Sequence, residues 1–426
     1  MRGRAAPPYH QDHAGALGPH GLEPARFDAW LARAAAARGR LRDAASLPPP
    51  LALARRADDL DAIAATAREL AARVTDVVVL GIGGSSLGAQ ALLALAPGGT
   101  PRVHTVETID PWSWQRAAAE LDPARTAFIA VSRSGSTPET VAQALMAVAL
   151  LRATVGEDRL AEHMLVLAGP GESPLRTLAR RFGLTTLDHD PALSGRFSVL
   201  SNVGLLPAAL GGIDGAGLRA GARTVLDHTL AATDARDAAP VVGAALQVGL
   251  AREKGVATSV LLGYADALAP FGAWYTQLWA ESLGKAGHGT QPVAARGPAD
   301  QHSQLQLWLD GPADKLFTVV VLDRAATGPR LDPALAGDPS IGYLEGRTLG
   351  DLLEAEQRAT IETLIRAGRP VRVLRTPALD AATLGALLMH MMIETILACD
   401  LLGVDPFDQP AVEQGKVLTR RWLARG

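Results

Sequence analysis

The segment that most constrains the fold of this chain is 128–140, FIAVSRSGSTPET, where an apolar run meets a loop of hydroxyl side chains. The apolar run predicts a buried strand, and Pro138 and Glu139 predict the first turn of a helix. Unpaired backbone N–H groups at a helix N-terminus bind phosphate well, while Gly135 permits close backbone approach and Arg133 adds positive charge. The segment therefore predicts a phosphate-binding loop or, alternatively, only a serine- and glycine-rich turn before a capped helix.

Strand-like and helix-like segments alternate along most of the chain. Predicted strands occupy 76–81, 102–107, 126–131, 163–168, 185–188, 257–263, 316–322 and 371–375. Predicted helices occupy 22–38, 51–73, 87–95, 111–121, 138–154, 174–182, 238–254, 270–283, 349–367 and 381–402. Such alternation is typical of α/β folds in which helices cover both faces of a parallel sheet. We therefore predict two doubly wound parallel-sheet domains of three α/β/α layers, flanked by N- and C-terminal helices.

The predicted domain boundaries follow breaks in this pattern. A helical extension covers 1–74, the first α/β domain 75–212, the second 213–403, and a C-terminal segment 404–426. Residues 1–24, rich in proline, glycine and histidine, are expected to pack loosely. The long connection 284–303 shows no periodicity and is expected to be irregular, as functional connections often are.

Composition narrows the classes of function. The chain has 426 residues, 48% of them hydrophobic, and a net charge of −3, which gives no sign of a nucleic-acid or anionic-membrane partner. Cys399 is the only cysteine, so no intrachain disulfide can form, which suits a reducing cytoplasm. The N-terminus has no apolar segment typical of a secretory signal. Residues 381–398 contain His390 and Glu394 and are expected to form a buried helix rather than a membrane span.

A second loop of small residues, GIGGSSLG at 81–88, also follows a predicted strand and opens a helix. The third glycine of a dinucleotide fingerprint would fall on Ser86, and no acidic residue stands about 20 residues beyond it. The sequence has no G-K-[ST] element of a Walker A loop. A second sugar- or phosphate-contacting loop fits better, with Ser85 facing the same crevice, although a simple strand-to-helix turn would look alike.

Polar residues in the second half are ambiguous one by one. Gln277, Glu281 and Lys285 are four apart and would share a helix face, as a solvated Glu–Lys pair or around a general base. Gly284 predicts that the helix ends near residue 283, which would leave Lys285 beyond it. Five further polar residues stand alone in the sequence: Arg196 in SGRFS, His302 in DQHSQ, and Gln409, Glu413 and Lys416 in the C-terminal segment. Taken singly, such residues are more often surface or packing residues than catalysts.

Taken in order, these motifs carry a family resemblance. The set GIGGSSLG, SRSGSTPET, GRFSVLSNVGLLPAAL, QLWAESLGK, DQHSQ and FDQPAVEQGK, over about residues 75 to 420, resembles the glucose-6-phosphate isomerase family in its short bacterial form. The resemblance implies two domains of the sugar isomerase (SIS) type. It also implies a cytoplasmic homodimer that interconverts D-glucose 6-phosphate and D-fructose 6-phosphate, in glycolysis and gluconeogenesis, without metal or organic cofactor.

The resemblance also implies roles for individual residues. Glu281 would be the base that moves a proton between C1 and C2, and Arg196 would stabilise the enediolate. His302 and Lys416 would serve ring opening and the sugar hydroxyls, with the loop carrying the histidine supplied by the second subunit. The substrate would be contacted by Gly84, Ser85, Gln277 and Gln409, and its 6-phosphate by Ser132, Arg133, Ser134, Ser136, Thr137 and Thr140.

The sequence departs from the family pattern at two site positions, and the chain is also shorter than many relatives, with an unusual N-terminus. Arg133 stands where long family members have lysine, which keeps the positive charge. Leu309 stands where those members have a catalytic histidine, and His302, 21 residues after Glu281, matches the short form instead. Two alternatives stay open: a non-catalytic sugar-phosphate sensor of the SIS type, and a related isomerase that also accepts mannose 6-phosphate.

Overall fold

The computed structural model describes residues 6–424, and within them ten strands form two five-stranded sheets. The strands are β1 His10–Asp12, β2 Asp76–Leu80, β3 Arg102–Val106, β4 Thr126–Ser132, β5 Met164–Ala168, β6 Thr185–Asp188, β7 Thr258–Gly263, β8 Gln291–Arg296, β9 Lys315–Leu322 and β10 Val371–Thr376. The first sheet has the order β3-β2-β4-β5-β6 and is parallel throughout. The second has the order β1-β10-β9-β7-β8, in which only β1 is antiparallel to its neighbour.

Helices connect and cover the strands. They are α1 Pro24–Asp43, α2 Pro49–Ala52, α3 Leu60–Ala71, α4 Leu87–Leu93, α5 Pro111–Glu120, α6 Pro138–Thr154, α7 Leu160–His163, α8 Pro174–Phe182, α9 Asn202–Leu210, α10 Gly215–Ala231, α11 Ala239–Lys254, α12 Ala269–Leu283, α13 Leu305–Asp310, α14 Leu349–Arg366, α15 Ala381–Leu402 and α16 Glu413–Leu423. The predicted α/β class with two sheets covered on both faces is confirmed, although the antiparallel β1 makes the second sheet mixed rather than purely parallel.

Side chains from alternate strand positions divide the interior into one central and two outer cores. In β2, Val77 and Val79 face the central core while Val78 and Leu80 face an outer one. In β9, Leu316, Val320 and Leu322 face the central core, whereas Phe317, Val319 and Val321 face the second outer core. Because successive strand residues point to opposite faces, each sheet is buried on both sides. The central core is common to the two sheets and joins the two halves of the molecule.

Helix α15 runs through this central core. Among the described helices it is the one that, by itself, is long and apolar enough to cross a membrane, and 94% of its most hydrophobic window is buried inside the protein. Its prediction as a buried helix is therefore confirmed. Close packing against α10 depends on Gly221, since a Cβ there would lie 1.7 Å from the carbonyl oxygen of Ala382.

A buried ionic network crosses the same core. Arg372 on β10 binds both carboxylate oxygens of Glu394 on α15 at 2.7 and 2.6 Å, and His390 Nε2 lies 2.9 Å from that carboxylate. The Tyr9 hydroxyl lies 2.7 Å from His390 Nδ1, so the network ties the N-terminal segment to the core. Burial would raise the pKa of Glu394, but Arg372 and His390 lower it to about 2. Burial lowers the pKa of His390, which is therefore neutral, donating from Nε2 and accepting at Nδ1.

The eight predicted strands all exist, with ends within one residue of the prediction. Two expectations of irregular structure were wrong. The connection 284–303 contains β8, which pairs in parallel with β7, and the segment before residue 24 contains β1 together with the buried Tyr9 and Leu22. Both strands lie at sheet edges, where partial exposure weakens the apolar pattern on which prediction depends.

Two helix predictions also needed correction. The predicted helix 51–73 breaks after α2 and a 3-10 turn, because Arg219 binds the carbonyl of Arg56 at 3.1 Å and the carboxylate of Asp59. Helix α10 was not predicted, since its first seven residues, GAGLRAG, include three glycines. Glycine lowers helix propensity, but tertiary packing against α15 outweighs that preference.

Candidate active site

An ion pair between the two halves of the molecule forms the centre of the site. Glu281 lies in the last turn of α12, and Arg196 lies in a 3-10 turn, Gly195–Phe197, just before α9. Arg196 Nη1 donates to Glu281 Oε2 at 3.1 Å. The arginine side chain is 0% exposed and the glutamate side chain 31% exposed. The site therefore combines a fully buried cation with a carboxylate that a small molecule can reach.

The guanidinium of Arg196 makes five hydrogen bonds to described residues, which fix its plane. Nε donates to Ser282 Oγ at 2.8 Å, and Nη1 also donates to Gln409 Oε1 at 2.8 Å. Nη2 donates to the carbonyls of Pro406 and Asp408 at 2.5 and 3.0 Å. Burial lowers the pKa of Arg196, and the charge and hydrogen bond of Glu281 oppose that effect. An arginine held in this way is a directed positive charge.

Glu281 uses its second oxygen to accept from Gln277. The Gln277 Nε2 to Glu281 Oε1 distance is 2.9 Å, one helical turn apart on the same face of α12. The oxygen Oε1 of Gln277 is buried without a hydrogen-bond partner among residues 6–424. Gln277 and Glu281 therefore share one face of α12, as predicted. The side-chain oxygen of Gln277 is a buried acceptor beside the carboxylate that a hydroxyl of a ligand could satisfy.

The loop after β2 reaches this pair from the first sheet. A Cβ on Gly84 would lie 2.3 Å from the carbonyl carbon of Gly195, so the two backbones touch beside Arg196. A Cβ on the preceding Gly83 would lie 3.0 Å from Gln277 Nε2. Ser85 follows in the same short 3-10 turn and is half-buried. Gly84 thus lies against the turn that carries Arg196, and Ser85 follows it in the same loop.

The hydroxyl-rich loop follows the adjacent strand β4 and leads into α6. Ser132 Oγ lies 2.9 Å from Thr137 Oγ1, and the backbone N–H and the hydroxyl of Ser136 lie 3.2 and 3.0 Å from Ser134 Oγ. Thr140 is buried, and its hydroxyl has no partner in the described part of the chain. The hydroxyls therefore gather at the N-terminus of a 17-residue helix, where helix geometry favours an anion.

Two further features of this loop concern its shape and charge. Gly135 has φ of 65°, and a Cβ there would lie 2.1 Å from Ser173 Oγ. Arg133 is exposed and donates to the Pro191 carbonyl at 3.0 Å. The loop also adjoins the first one, since a Cβ on Gly81 would lie 3.2 Å from the Val131 carbonyl oxygen. Parallel pairing of β2 with β4 places both loops at the same edge of the sheet.

His302 does not join the site within this chain. It follows β8 and is exposed, whereas Glu281 lies near the opposite end of that strand. Trp279, two residues before Glu281, donates to Thr290 Oγ1 at 2.9 Å, just before β8 begins. A strand rises about 3.3 Å per residue, so the six residues of β8 separate the two ends by roughly 20 Å. Leu309 packs partly buried against the second outer core.

Lys416 also lies away from the Arg196–Glu281 pair. It stands on α16, whose described residues are all exposed, and it donates to Glu413 Oε1 at 2.6 Å. Gln409, by contrast, contacts Arg196 directly. The C-terminal segment therefore contributes Gln409 to the site in this structure and leaves Lys416 on a projecting helix.

Comparisons with known proteins identify the family of this chain. A sequence model of phosphoglucose isomerase matches residues 63–296. Over 360 residues the chain is 40% identical to the glucose-6-phosphate isomerase of Rubrobacter xylanophilus, a span of 82% of this chain and 83% of that protein. The chain belongs to the phosphoglucose isomerase family.

Solved structures similar to this phosphoglucose isomerase family member share its whole architecture. The crystal structure of a hypothetical protein from Thermus thermophilus has a TM-score of 0.87 and 35% identity, covering 98% of this chain and all of the other. A glucose-6-phosphate isomerase from Chlamydia trachomatis has a TM-score of 0.81 and 20% identity, covering 96% of this chain and 90% of the other. The second likeness shows the fold alone.

The structure also brings to the site residues to which the sequence analysis gave no role. Ser282 binds Arg196, and the segment 405–409 supplies the backbone carbonyls that surround the guanidinium. Lys285 lies beyond the end of α12, as Gly284 predicted, but its salt bridge is with Asp408 at 2.8 Å rather than with Glu281. The motif QLWAESLGK contains both Ser282 and Lys285. Their partners, Arg196 and Asp408, lie far away in the sequence, so the motif alone could not predict these contacts.

Proposed function

We propose that this protein interconverts D-glucose 6-phosphate and D-fructose 6-phosphate through a cis-enediolate. The observation that carries the proposal is the buried Arg196 guanidinium bound to the partly exposed Glu281 carboxylate at 3.1 Å. A C–H bond beside a carbonyl is a weak acid, so its proton is removed efficiently only when a base and an anion stabiliser act together. The chain supplies both, and the proposed transfer needs neither metal nor organic cofactor.

Glu281 is the proposed base. Its carboxylate takes the proton from C2 of the open-chain aldose, and the electron pair of that C–H bond forms the C1–C2 double bond of the enediolate. The proton then returns to C1 while the hydroxyl proton on the C2 oxygen moves to the C1 oxygen, which leaves a hydroxyl on C1 and the carbonyl of the ketose at C2. Gln277 and Arg196 each bind one of its oxygens, so the carboxylate is held in one orientation. A base fixed in this way serves both carbons because they are adjacent in one substrate.

Arg196 is the proposed stabiliser of the enediolate. Negative charge develops on the two oxygens of the intermediate, and a guanidinium already oriented by fixed hydrogen bonds needs no reorganisation at that moment. Arginine keeps its charge at physiological pH, which suits this role better than a lysine whose pKa falls on burial. Gly84, which adjoins Arg196, and the following Ser85 are the proposed contacts to the sugar, together with Gln409.

The hydroxyl loop is the proposed site of the 6-phosphate. The groups that would bind it are the hydroxyls and backbone N–H groups at the start of α6, with the exposed Arg133 adding charge; they belong to Ser132, Ser134, Ser136, Thr137 and Thr140. The phosphate takes no part in the proton transfer. Its binding energy holds the reacting end of the sugar against Glu281.

Ring opening is assigned to His302 and Lys416. Neither touches Glu281 within the chain, and His302 follows the far end of β8. We therefore propose a homodimer in which the loop carrying His302 completes the site of the other subunit, while Lys416 approaches on α16. The fully buried Cys399, with no disulfide, agrees with a cytoplasmic location, where the reaction would serve glycolysis and gluconeogenesis.

A coupled assay tests the proposal. Purified protein is given fructose 6-phosphate, and glucose 6-phosphate is detected by an added dehydrogenase that reduces a nicotinamide cofactor. Formation of glucose 6-phosphate at a rate proportional to the amount of protein is the expected result. Tight binding of hexose 6-phosphates without turnover would instead support a sugar-phosphate sensor.

A further inference from the structure

The segment 405–409 accepts most of the hydrogen bonds that Arg196 donates. It provides three of the five hydrogen-bond acceptors of the guanidinium: the carbonyls of Pro406 and Asp408 and the side-chain oxygen of Gln409. The segment belongs to neither a helix nor a strand, and Asp405 and Asp408 are exposed. Its position therefore depends on a few tertiary contacts, since no regular backbone ladder holds it.

Lys285 contributes two polar contacts to the segment and one to the end of α12. Its ammonium donates to the carbonyl of Asp405, forms a salt bridge with Asp408 Oδ1 at 2.8 Å, and donates to the carbonyl of Ser282 at 3.0 Å. These three acceptors use the three donors of a lysine ammonium, and the side chain is only 12% exposed. Phe407 adds apolar contacts, since the centroids of its ring and that of Phe197 are 5.3 Å apart and it packs partly buried against the central core.

The contact with the Ser282 carbonyl links Lys285 to the residues beside Glu281. Ser282 also accepts from Arg196 Nε through its hydroxyl, at 2.8 Å, and it follows Glu281 directly. One lysine thus joins the end of α12, which carries the carboxylate, to the segment that carries the other acceptors of Arg196. The 12% exposure leaves little water to replace the ammonium if the lysine were removed.

We infer that Lys285 is a positioning residue for catalysis: it holds the segment 405–409 against α12 and thereby fixes the direction in which Arg196 presents its charge. This inference rests on the proposed function, because it concerns the anion stabiliser of that reaction. Lys285 touches none of the reacting groups. It acts through the backbone carbonyls that bind the guanidinium.

The first test is Lys285→Met, which removes the charge and keeps a side chain of similar length. Displacements near 1 Å in a catalytic group lower rates by about 100-fold, so we expect kcat to fall by about 10- to 100-fold. The KM for fructose 6-phosphate should change by less than about threefold, because the hydroxyl loop that binds phosphate is untouched. The matched control is Lys315→Met, since Lys315 is 11% exposed and binds one carboxylate, that of Asp314, and one carbonyl, that of Pro312.

Chemical rescue separates positioning from general damage to the fold. Lys285→Cys treated with 2-bromoethylamine, in which the thiolate displaces bromide, regains an ammonium at nearly the lysine position. Cys399 is spared because burial raises its pKa to about 12. The expected result is recovery of kcat to within about fivefold of the parent. A merely structural defect would not respond to restoring one charge.

Some outcomes would overturn the inference. One is a folded Lys285→Met protein with unchanged kcat; another is a rise in KM alone, which would make Lys285 a substrate contact. Failure of rescue despite complete alkylation would likewise reject it. Absence of turnover in the parent protein would instead reject the proposed function, so the two failures are distinguishable.

Discussion

At the level of single residues, Glu281 and Arg196 satisfy requirements that usually conflict. A buried charge is costly unless it is paired and hydrogen-bonded, whereas a catalytic base must be reached by substrate. The buried charge of Arg196 is paired and makes five hydrogen bonds. The side chain of Glu281 is 31% exposed, so substrate can reach it. The pair is therefore compatible with a stable fold and available to a ligand.

Replacement of Glu281 by glutamine tests the base. An amide is not a base, yet Glu281→Gln keeps the shape and one hydrogen-bond acceptor, so kcat should fall by about 10³- to 10⁴-fold with folding intact. The coupled assay and circular dichroism measure these two effects. Glu253→Gln is a matched control, because Glu253 also accepts from one arginine, Arg26, and one neutral N–H, that of Trp30. Retained turnover in Glu281→Gln would remove the assigned base.

A second prediction at this scale concerns acid stability. The pKa of His390 is lowered from 6.5 by burial, so below pH 6.5 the unfolded chain takes up a proton that the folded protein does not. Stability contributed by the neutral histidine is therefore present above pH 6.5 and falls as the pH decreases, by up to about 1.4 kcal/mol per pH unit. His390→Gln can accept from Tyr9 and donate to Glu394 without titrating. Urea unfolding between pH 7 and 5 should show a weaker pH dependence in the variant, and equal slopes would contradict the prediction.

At the level of elements, the parts predicted from sequence share one property. Strands such as β2 and β4 are continuous apolar runs, because helices bury both of their faces, and the loops that follow them were predicted at one edge of the sheet for the same reason. Strand β8, at a sheet edge with a proline at its second position, gave no such signal. The contact between Arg196 and the carbonyl of Pro406 joins residues 210 positions apart, so no pattern of neighbouring residues could predict it.

The hydroxyl loop gives a prediction at the same scale. Gly135→Ala would place a Cβ 2.1 Å from Ser173 Oγ at φ of 65°, so the loop must move. We expect a loss of roughly 1–3 kcal/mol in stability and a rise of about tenfold or more in KM for fructose 6-phosphate. Gly156 is the matched control: its φ is 85°, but nothing lies within 4 Å of a Cβ there. Gly156→Ala should cost some stability and leave KM unchanged. An unchanged KM in Gly135→Ala would separate the loop from substrate binding.

At the level of the whole molecule, the distance between His302 and Glu281 has a measurable consequence. If the proposed dimer shares its sites, Glu281→Gln and His302→Ala proteins are each inactive for different reasons. Mixed dimers of the two contain one site with both native residues. Random re-association after mild denaturation should therefore restore about a quarter of the parent activity, because half of the dimers are mixed and each has one complete site. Activity that stays at the level of the separate variants would place His302 outside the partner's site.

The central core, to which both sheets contribute, limits how this chain can be divided. Val77 from the first sheet and Leu316 from the second belong to one continuous apolar cluster around α15. Expression of either half alone would leave that surface in water, and aggregation is the expected fate of such a fragment. Exchange of halves between distant relatives would meet the same obstacle, since side chains shaped to one another would be separated. The two halves therefore have to be kept together in one chain for either to fold.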